Sequence, residues 1–372
     1  MRVAMVLAPL FGLAALVAVL LFGNLIGTVS GGVPVESLTV EDVTLAPGQL
    51  ELHLRNDGQV PVTIGQVTVD DAFRPFTTSS STLDRLGSAT VTVPYPWEPG
   101  IPVHVSVLTS TGAVIEHEIA SPSLTPTGAP ATLGMLALIG LAMAAFPVAL
   151  GLLWLPFLRR ASARVIGAVL AFTLGLLAFL LVDTTAEGLE LAGGLGAGLN
   201  GIGVFALGAL GALAVFAAVE SLGGDGTARG MRLAWLVAIG IGLHNLGEGL
   251  AVGTATRAGE VALGAALVVG FAIHNLTEGV AIAAPLASGS RVRWPVLVLL
   301  AGVAGLPAVP GLWLGGLTAG GTWAVLGLGV AAGAIAQVVL AVGRLVVGKP
   351  GPLAAASFTA AVGLMYLTGL LA

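Results

Sequence analysis

The chain has no cysteine. That absence excludes a disulfide scaffold, cysteine-ligated zinc, iron–sulfur clusters and thiol catalysis, and it leaves the redox compartment undetermined. Charge is also scarce. Asp, Glu, Lys and Arg make up 9% of 372 residues, against about 25% in an ordinary soluble chain. No basic run exists to hold nucleic acid. The phosphate-cradling G-x-x-x-x-G-K-[ST] loop, the G-x-S-x-G elbow and the H-E-x-x-H metalloprotease spacing are all missing. ATP-driven transport by this chain alone, acyl-transfer chemistry and intramembrane proteolysis therefore lose their usual sequence support, and no enzyme activity is expected.

Hydrophobic residues, at 56%, fill the space left by charge, and glycine alone takes 55 positions. So few charges cannot cover the surface of a soluble protein this long. The lipid bilayer is the expected solvent. What charge there is falls unevenly: between Gly32 and Pro122 lie three basic and eleven acidic residues, whereas the remainder is net basic.

Residues 1–30 open with Arg2 and a long apolar run from Val3 to Gly23, with no clear cleavage pattern after it. This reads as an uncleaved anchor helix; a cleaved signal would equally export residues 31–126. Those residues change character. Segments such as Leu50-Glu51-Leu52-His53-Leu54 and Val103-His104-Val105-Ser106-Val107 alternate apolar with polar, and Asn56-Asp57-Gly58 and Ser110-Thr111-Gly112 mark turns. Period-two alternation at this spacing predicts an antiparallel β-sandwich. His53 and His104 are expected to face solvent, with His117 a third surface histidine. Asp70-Asp71 and Tyr95-Pro96-Trp97 read as turn and core chemistry.

From 127 to 372 the apolar runs reach the length of about 20 residues that spans a bilayer, and there are eight of them. The predicted fold class is thus a polytopic α-helical membrane protein, an eight-helix transporter bundle with an N-terminal anchor and an extracytoplasmic all-β sandwich. Orientation is set by the cations. With the sandwich outside, Arg159, Arg160, Arg164, Arg229, Arg232, Arg291, Arg293, Arg344 and Lys349 face the cytoplasm, and in the helical part only Arg257 faces out. Trp154, Trp235 and Trp294 fall near the inner boundary. The expected location is the plasma membrane.

Ionisable groups deep in a span cost roughly 2.5–3.5 kcal/mol each by insertion scales, so those present call for a reason. The fourth span contains His244-Asn245-Leu246-Gly247-Glu248-Gly249, and the fifth contains His274-Asn275-Leu276-Thr277-Glu278-Gly279. His and Glu four apart project from one helical face. Two antiparallel spans joined by a short loop at 254–259 can turn those faces together. Two imidazoles and two carboxylates then converge, with the Asn245 and Asn275 amides alongside. That donor set suits Zn²⁺, Fe²⁺ or Mn²⁺, and the two carboxylates would neutralise a divalent ion. Interhelical hydrogen bonds or a proton relay remain readings of either pair alone; duplication on adjacent spans favours two half-sites, as transporters arrange them.

The paired HNxxEG segments, in the fourth and fifth of eight spans, resemble the ZIP family of divalent-metal transporters over roughly residues 130–372. The resemblance implies movement of zinc foremost, or iron or manganese, toward the cytoplasm, with no cofactor besides the transported ion. It implies His244, Glu248, His274 and Glu278 as ligands, Asn245 and Asn275 in supporting or second-metal roles, and a homodimer. Two departures stand out. Many relatives carry Pro before the motif Glu, where this chain has Gly247 and Thr277. The sixth span, at Gly305-Leu306-Pro307-Ala308-Val309-Pro310-Gly311, lacks the acid of a two-metal site. One principal site is therefore expected.

Weaker signals remain. Asp183, Glu187 and Glu190 end the second span with spacings that share a helical face, either an electronegative mouth that draws cations in or a solvated helix end. Glu220 and Asp225 sit at the other side of the third span, and Gln337 is the one clearly polar residue of the seventh. A membrane-bound metal sensor and a proton-coupled carrier of a non-metal substrate are the competing functions.

Overall fold

The structure, a computed structural model, describes residues 36–195, 200–221, 228–287, 291–317, 321–346 and 351–369. The expected anchor at 1–30, Asp225 and Lys349 lie outside these residues.

Alternation along the sequence becomes two antiparallel sheets. One runs β1 (Leu38–Ala46), β2 (Gln49–Asn56), β7 (Ser88–Pro94) and β5 (Thr77–Thr78). The other runs β4 (Ala72–Phe73), β3 (Val62–Val69), β8 (Val103–Thr109) and β9 (Val114–Ile119), with β6 (Thr82–Leu83) also on β3. Successive side chains leave a strand on opposite faces, so Leu50, Leu52, Leu54, Val91 and Val93 point inward against Val67, Val69, Val105 and Val107, forming a closed core. Asn56 is fully buried and replaces a turn of backbone pairing. Its Nδ2 donates to the carbonyls of Val60 (2.7 Å) and Leu83 (2.8 Å), and its Oδ1 accepts from Gly58 N (2.9 Å).

The polar residues of the sandwich mostly behave as expected. Asp70 and Asp71 hold left-handed backbone angles (φ 49° and 61°). The Asp70 carboxylate accepts from His104 N at 3.0 Å and from the Tyr95 hydroxyl, contacts that hold it below its ordinary pKa. His104 is exposed. His53 differs: it is half-buried, its ring nitrogens 3.2 Å from Thr90 Oγ1 and 3.4 Å from Thr44 Oγ1. Cross-strand register puts those hydroxyls on the same outward face as His53 and covers it.

Eight helices among the described residues are long and apolar enough to cross a membrane, the number read from the sequence. The first span is α1 (Pro130–Gly140), a π-turn (Leu141–Ala145), α2 (Phe146–Leu152) and α3 (Leu155–Leu158). Then come α4 (Ala163–Gly194), α5 (Gly201–Ser221), α6 (Ala228–Ala258) and α7 (Val261–Ala283), the second to fifth spans. The sixth span is split into α8 (Trp294–Gly305) and α9 (Ala308–Leu317); α10 (Gly321–Val346) and α11 (Pro352–Gly369) complete the set. The first, fourth, fifth and sixth spans pack as one bundle, and the second, third, seventh and eighth as another, with the fourth crossing to the seventh between them.

Two boundaries differ from expectation. The second span continues to Gly194, so Asp183 and Glu187 lie within the helix rather than at its end. The fourth continues to Ala258, leaving only Gly259 and Glu260 between α6 and α7. In both cases the polar residues that look like loop in the sequence have partners or a cavity to face, so the helix need not stop. Trp154 and Trp294 are exposed on the bundle surface, whereas Trp235 is partly buried against the core.

Two stability tests concern the sandwich. Asn56→Ala strands two buried carbonyls and one N–H, and should cost about 2–3 kcal/mol, read as faster hydrogen exchange throughout β2, β3 and β7. His117, expected as a surface histidine, is instead half-buried on β9, and that burial holds it below its ordinary pKa, against the opposing pull of Asp42. The unfolded chain then binds the proton more readily, so His117 favours the folded sandwich fully above a pH of about 6.5, and progressively less as pH falls toward its lowered folded value. His117→Gln should flatten that stretch of the sandwich's stability–pH curve.

Candidate metal centre

The i, i+4 spacing works as sequence geometry requires. His244 and Glu248 project from α6 and His274 and Glu278 from α7, all into the space between the two helices, and all four are buried. Glu248 is the centre. Its Oε1 lies 3.1 Å from His244 Nε2 and hydrogen-bonds His274 Nε2, while its Oε2 accepts from Asn275 Nδ2 at 3.0 Å. The approach to His244 is a close contact without hydrogen-bond alignment, so that nitrogen has no hydrogen-bond partner among the described residues. The ligand atoms of His244, Glu248 and His274 all fall within 4.8 Å of one another. Glu278 stands beside this trio rather than in it.

The two asparagines are oriented by what they meet. Asn275 Nδ2 donates to Met143 O (3.0 Å) and Asn245 Nδ2 to Ala304 O (2.9 Å). A carbonyl only accepts, so each amide must present its NH₂ there. Both carbonyls lie at helix breaks. Pro147, four residues beyond Met143, has no N–H to offer it, and a π-turn opens the same place. Ala304 lies in the last turn of α8, where carbonyls run out of intrahelical donors. Each asparagine also donates to the other motif's glutamate, Asn275 to Glu248 and Asn245 to Glu278 Oε2 at 3.4 Å. The remaining oxygens, Asn245 Oδ1, Asn275 Oδ1 and Glu278 Oε1, are buried acceptors with no donor among the described residues.

The glycine after each glutamate lets the neighbours come this close. A Cβ on Gly279 would sit 2.2 Å from Val148 O in α2, and one on Gly249 2.1 Å from Ala308 O in α9. Thr277 donates its hydroxyl to His274 O at 2.7 Å, a back-bond of the kind that bends a helix.

Asp183 and Glu187 lie outside the buried group. With Glu190, Phe271 and His274 they line a cavity of about 320 Å³, so the second span's acids and the buried imidazole share one space. Between them sits Thr184, which no sequence motif singles out. It is fully buried, and its Oγ1 lies 2.9 Å from His244 Nδ1. Its signal is faint: one hydroxyl next to two conspicuous acids. Gln337 does not reach the site. It donates to Glu220, which also accepts from Arg344 NH1 at 3.2 Å; the third-span acid is thereby tied to the seventh span. The sixth span contributes a carbonyl, not an acid.

These contacts give a direct packing test. Gly279→Ala should destabilise the bundle by about 1–3 kcal/mol or more, because backbone on both sides must move. Gly327→Ala, inside α10 where an added Cβ meets nothing within 4 Å, should not lower the melting temperature of the purified protein and should raise it slightly through helix propensity.

No family model matches the chain. No curated protein matches it either. Among solved structures it shows a slight similarity to the archaellum periplasmic stator protein FlaG from Sulfolobus acidocaldarius, at 11% identity over 23% of this chain and 99% of that one, with a TM-score of 0.21. A score that low bears on neither fold nor function.

Proposed function

We propose that this chain carries divalent transition-metal ions, zinc foremost and iron or manganese besides, across the plasma membrane toward the cytoplasm. The observation that carries the reading is the buried His244–Glu248–His274 group, encircled by three oxygen acceptors that lack donors among the described residues. Buried polar atoms are normally satisfied. Acceptors left over around imidazole and carboxylate are groups that a bound cation would satisfy. The spacing agrees. Metal–ligand bonds of about 2.1 Å in a tetrahedral site put ligand atoms roughly 3.4 Å apart, close to the 3.1 Å between His244 Nε2 and Glu248 Oε1.

The resemblance to ZIP transporters supports the same assignment. His244, Glu248 and His274 are the principal ligands, and Glu278 completes the charge balance. Asn245 and Asn275 aim the glutamates and offer their free Oδ1 atoms. Thr184 fixes which nitrogen His244 presents, as partners of metal-bound histidines do. Cations approach from the sandwich side past Asp183 and Glu187, whose charge raises their local concentration. They exchange water for the buried donors and leave when one bundle shifts against the other. The basic residues of the opposite loops support that orientation.

Proteoliposomes enclosing a metal-sensitive dye test the proposal. The dye should respond to Zn²⁺, Fe²⁺ or Mn²⁺ and not to Mg²⁺. His274→Ala and Glu278→Gln should each abolish the response while the protein stays folded, and Thr184→Val should weaken metal binding by about 10–100-fold. Full uptake by the ligand variants would refute the site. Metal bound without flux would make the protein a sensor, and flux indifferent to divalent ions would make it a proton-coupled carrier.

A further inference from the structure

The sandwich is joined to the helices by more than a linker. β1 carries a bulge between Val40 and Asp42 in its pairing with β2, and a bulge re-aims the side chains beside it. Asp42 there meets Arg257, in the last turn of α6. Arg257 Nε donates to Asp42 Oδ1 at 2.9 Å, and its NH2 donates to Asp42 Oδ2 and to Thr44 Oγ1 at 3.0 Å. This is a two-pronged pair, with side chains only 11% and 14% exposed. It is also the one arginine of the helical part that the charge asymmetry placed on the outer side.

A second contact lies two residues on. Gly259, at φ +78°, forms the turn between α6 and α7, and a Cβ there would stand 2.4 Å from Ser123 Oγ and 2.7 Å from Ser121 O. The segment after β9 is therefore pressed against the turn. That segment is itself pinned. Leu45 N donates to Thr125 Oγ1 at 2.8 Å, and Thr125 N to Leu45 O at 3.1 Å. Four residues, 126–129, then separate this pin from the first span at Pro130, a reach of at most about 18 Å.

Both attachments fall on the same bundle, the one that contains the first, fourth, fifth and sixth spans. Arg257 is nine residues along α6 from Glu248, a rise of about 13.5 Å on a stiff helix. The geometry points to the sandwich being a clasp for the hairpin that carries the histidines and glutamates: through Asp42 and Arg257 it fixes the α6–α7 turn, and it moves as one body with the first, fourth, fifth and sixth spans. The consequence for transport rests on the carrier reading above; the clasp itself does not.

Two measurements separate these. In purified full-length protein, Asp42→Asn with Arg257→Gln removes both charges, so neither is left buried and alone. Amides 255–261 should then exchange at least about tenfold faster, with the β-strand amides unchanged. Unaltered exchange at 255–261 would overturn the clasp. For the motion, the absence of native cysteine allows Asp42→Cys with Arg257→Cys to be bridged by a reducible bis-thiol reagent in dye-loaded proteoliposomes. Uptake of Zn²⁺ within twofold of the unbridged protein is expected. Uptake stopped by the bridge and restored by reductant would show that the sandwich must release in each cycle, and would overturn the rigid-body inference. If the parent protein shows no flux at all, the carrier reading fails and the exchange result alone decides the clasp.

Discussion

Two carboxylates buried between helices are the most costly feature of this chain, and the structure around them answers that cost. Charge cannot be taken into an apolar interior unless it is paired and hydrogen-bonded. Glu248 meets the requirement through two imidazoles and an amide. The amide comes from Asn275, which must be anchored to aim, and its anchor is a carbonyl freed by Pro147 and the π-turn of the first span. Asn245 repeats the device on the broken sixth span. The two helix interruptions, which look like defects in a membrane span, are the acceptors that orient the site. Irregular backbone at such depth is tolerated where it is covered by protein, and here it is covered by the motif asparagines.

The duplicated hexapeptide does not produce two equal halves. Glu248 is saturated, whereas Glu278 accepts one long hydrogen bond and keeps a bare Oε1. Helix packing sets the difference. Both histidine Nε2 atoms approach Glu248, so the second carboxylate is left with an amide and no imidazole. Thr184 bonds the Nδ1 of His244, while the ring of His274 is met edge-on by Phe271 at 5.5 Å. A sequence repeat therefore supplies a charge balance without dictating which glutamate is the hub.

Much of this is legible in the residues. Period-two alternation marks the strands because Leu50, Leu52 and Leu54 have one face to bury. The eight spans stand out because nothing but a helix satisfies its backbone over so long an apolar run. The His–Glu pairs are visible because a costly residue in a span advertises itself. What stays hidden depends on partners distant in the chain. Thr184 is an ordinary hydroxyl until His244, sixty residues on, is placed beside it. Asp42 and Arg257 are 215 residues apart, and neither carries a motif. The second helix runs past its acids because a cavity faces them, and no local signal announces a cavity. Thr277 illustrates the reverse: its hydroxyl is plain in the sequence, but the back-bond it makes to His274 O needs coordinates.

The sixth span adds no charged side chain to the buried group among the described residues. It brings the Ala304 carbonyl where an acidic side chain would supply another negative charge. Two carboxylates are then the whole anionic complement of the buried group among the described residues, with Asp183, Glu187 and Glu190 held apart along the cavity wall. One divalent ion balances two carboxylates. A second would leave two uncompensated positive charges in a region where even one is strongly disfavoured. On the proposed reading, the missing acid is thus a limit on occupancy: the centre takes one ion at a time, and the acids of the cavity mouth can gather the next without lodging it inside.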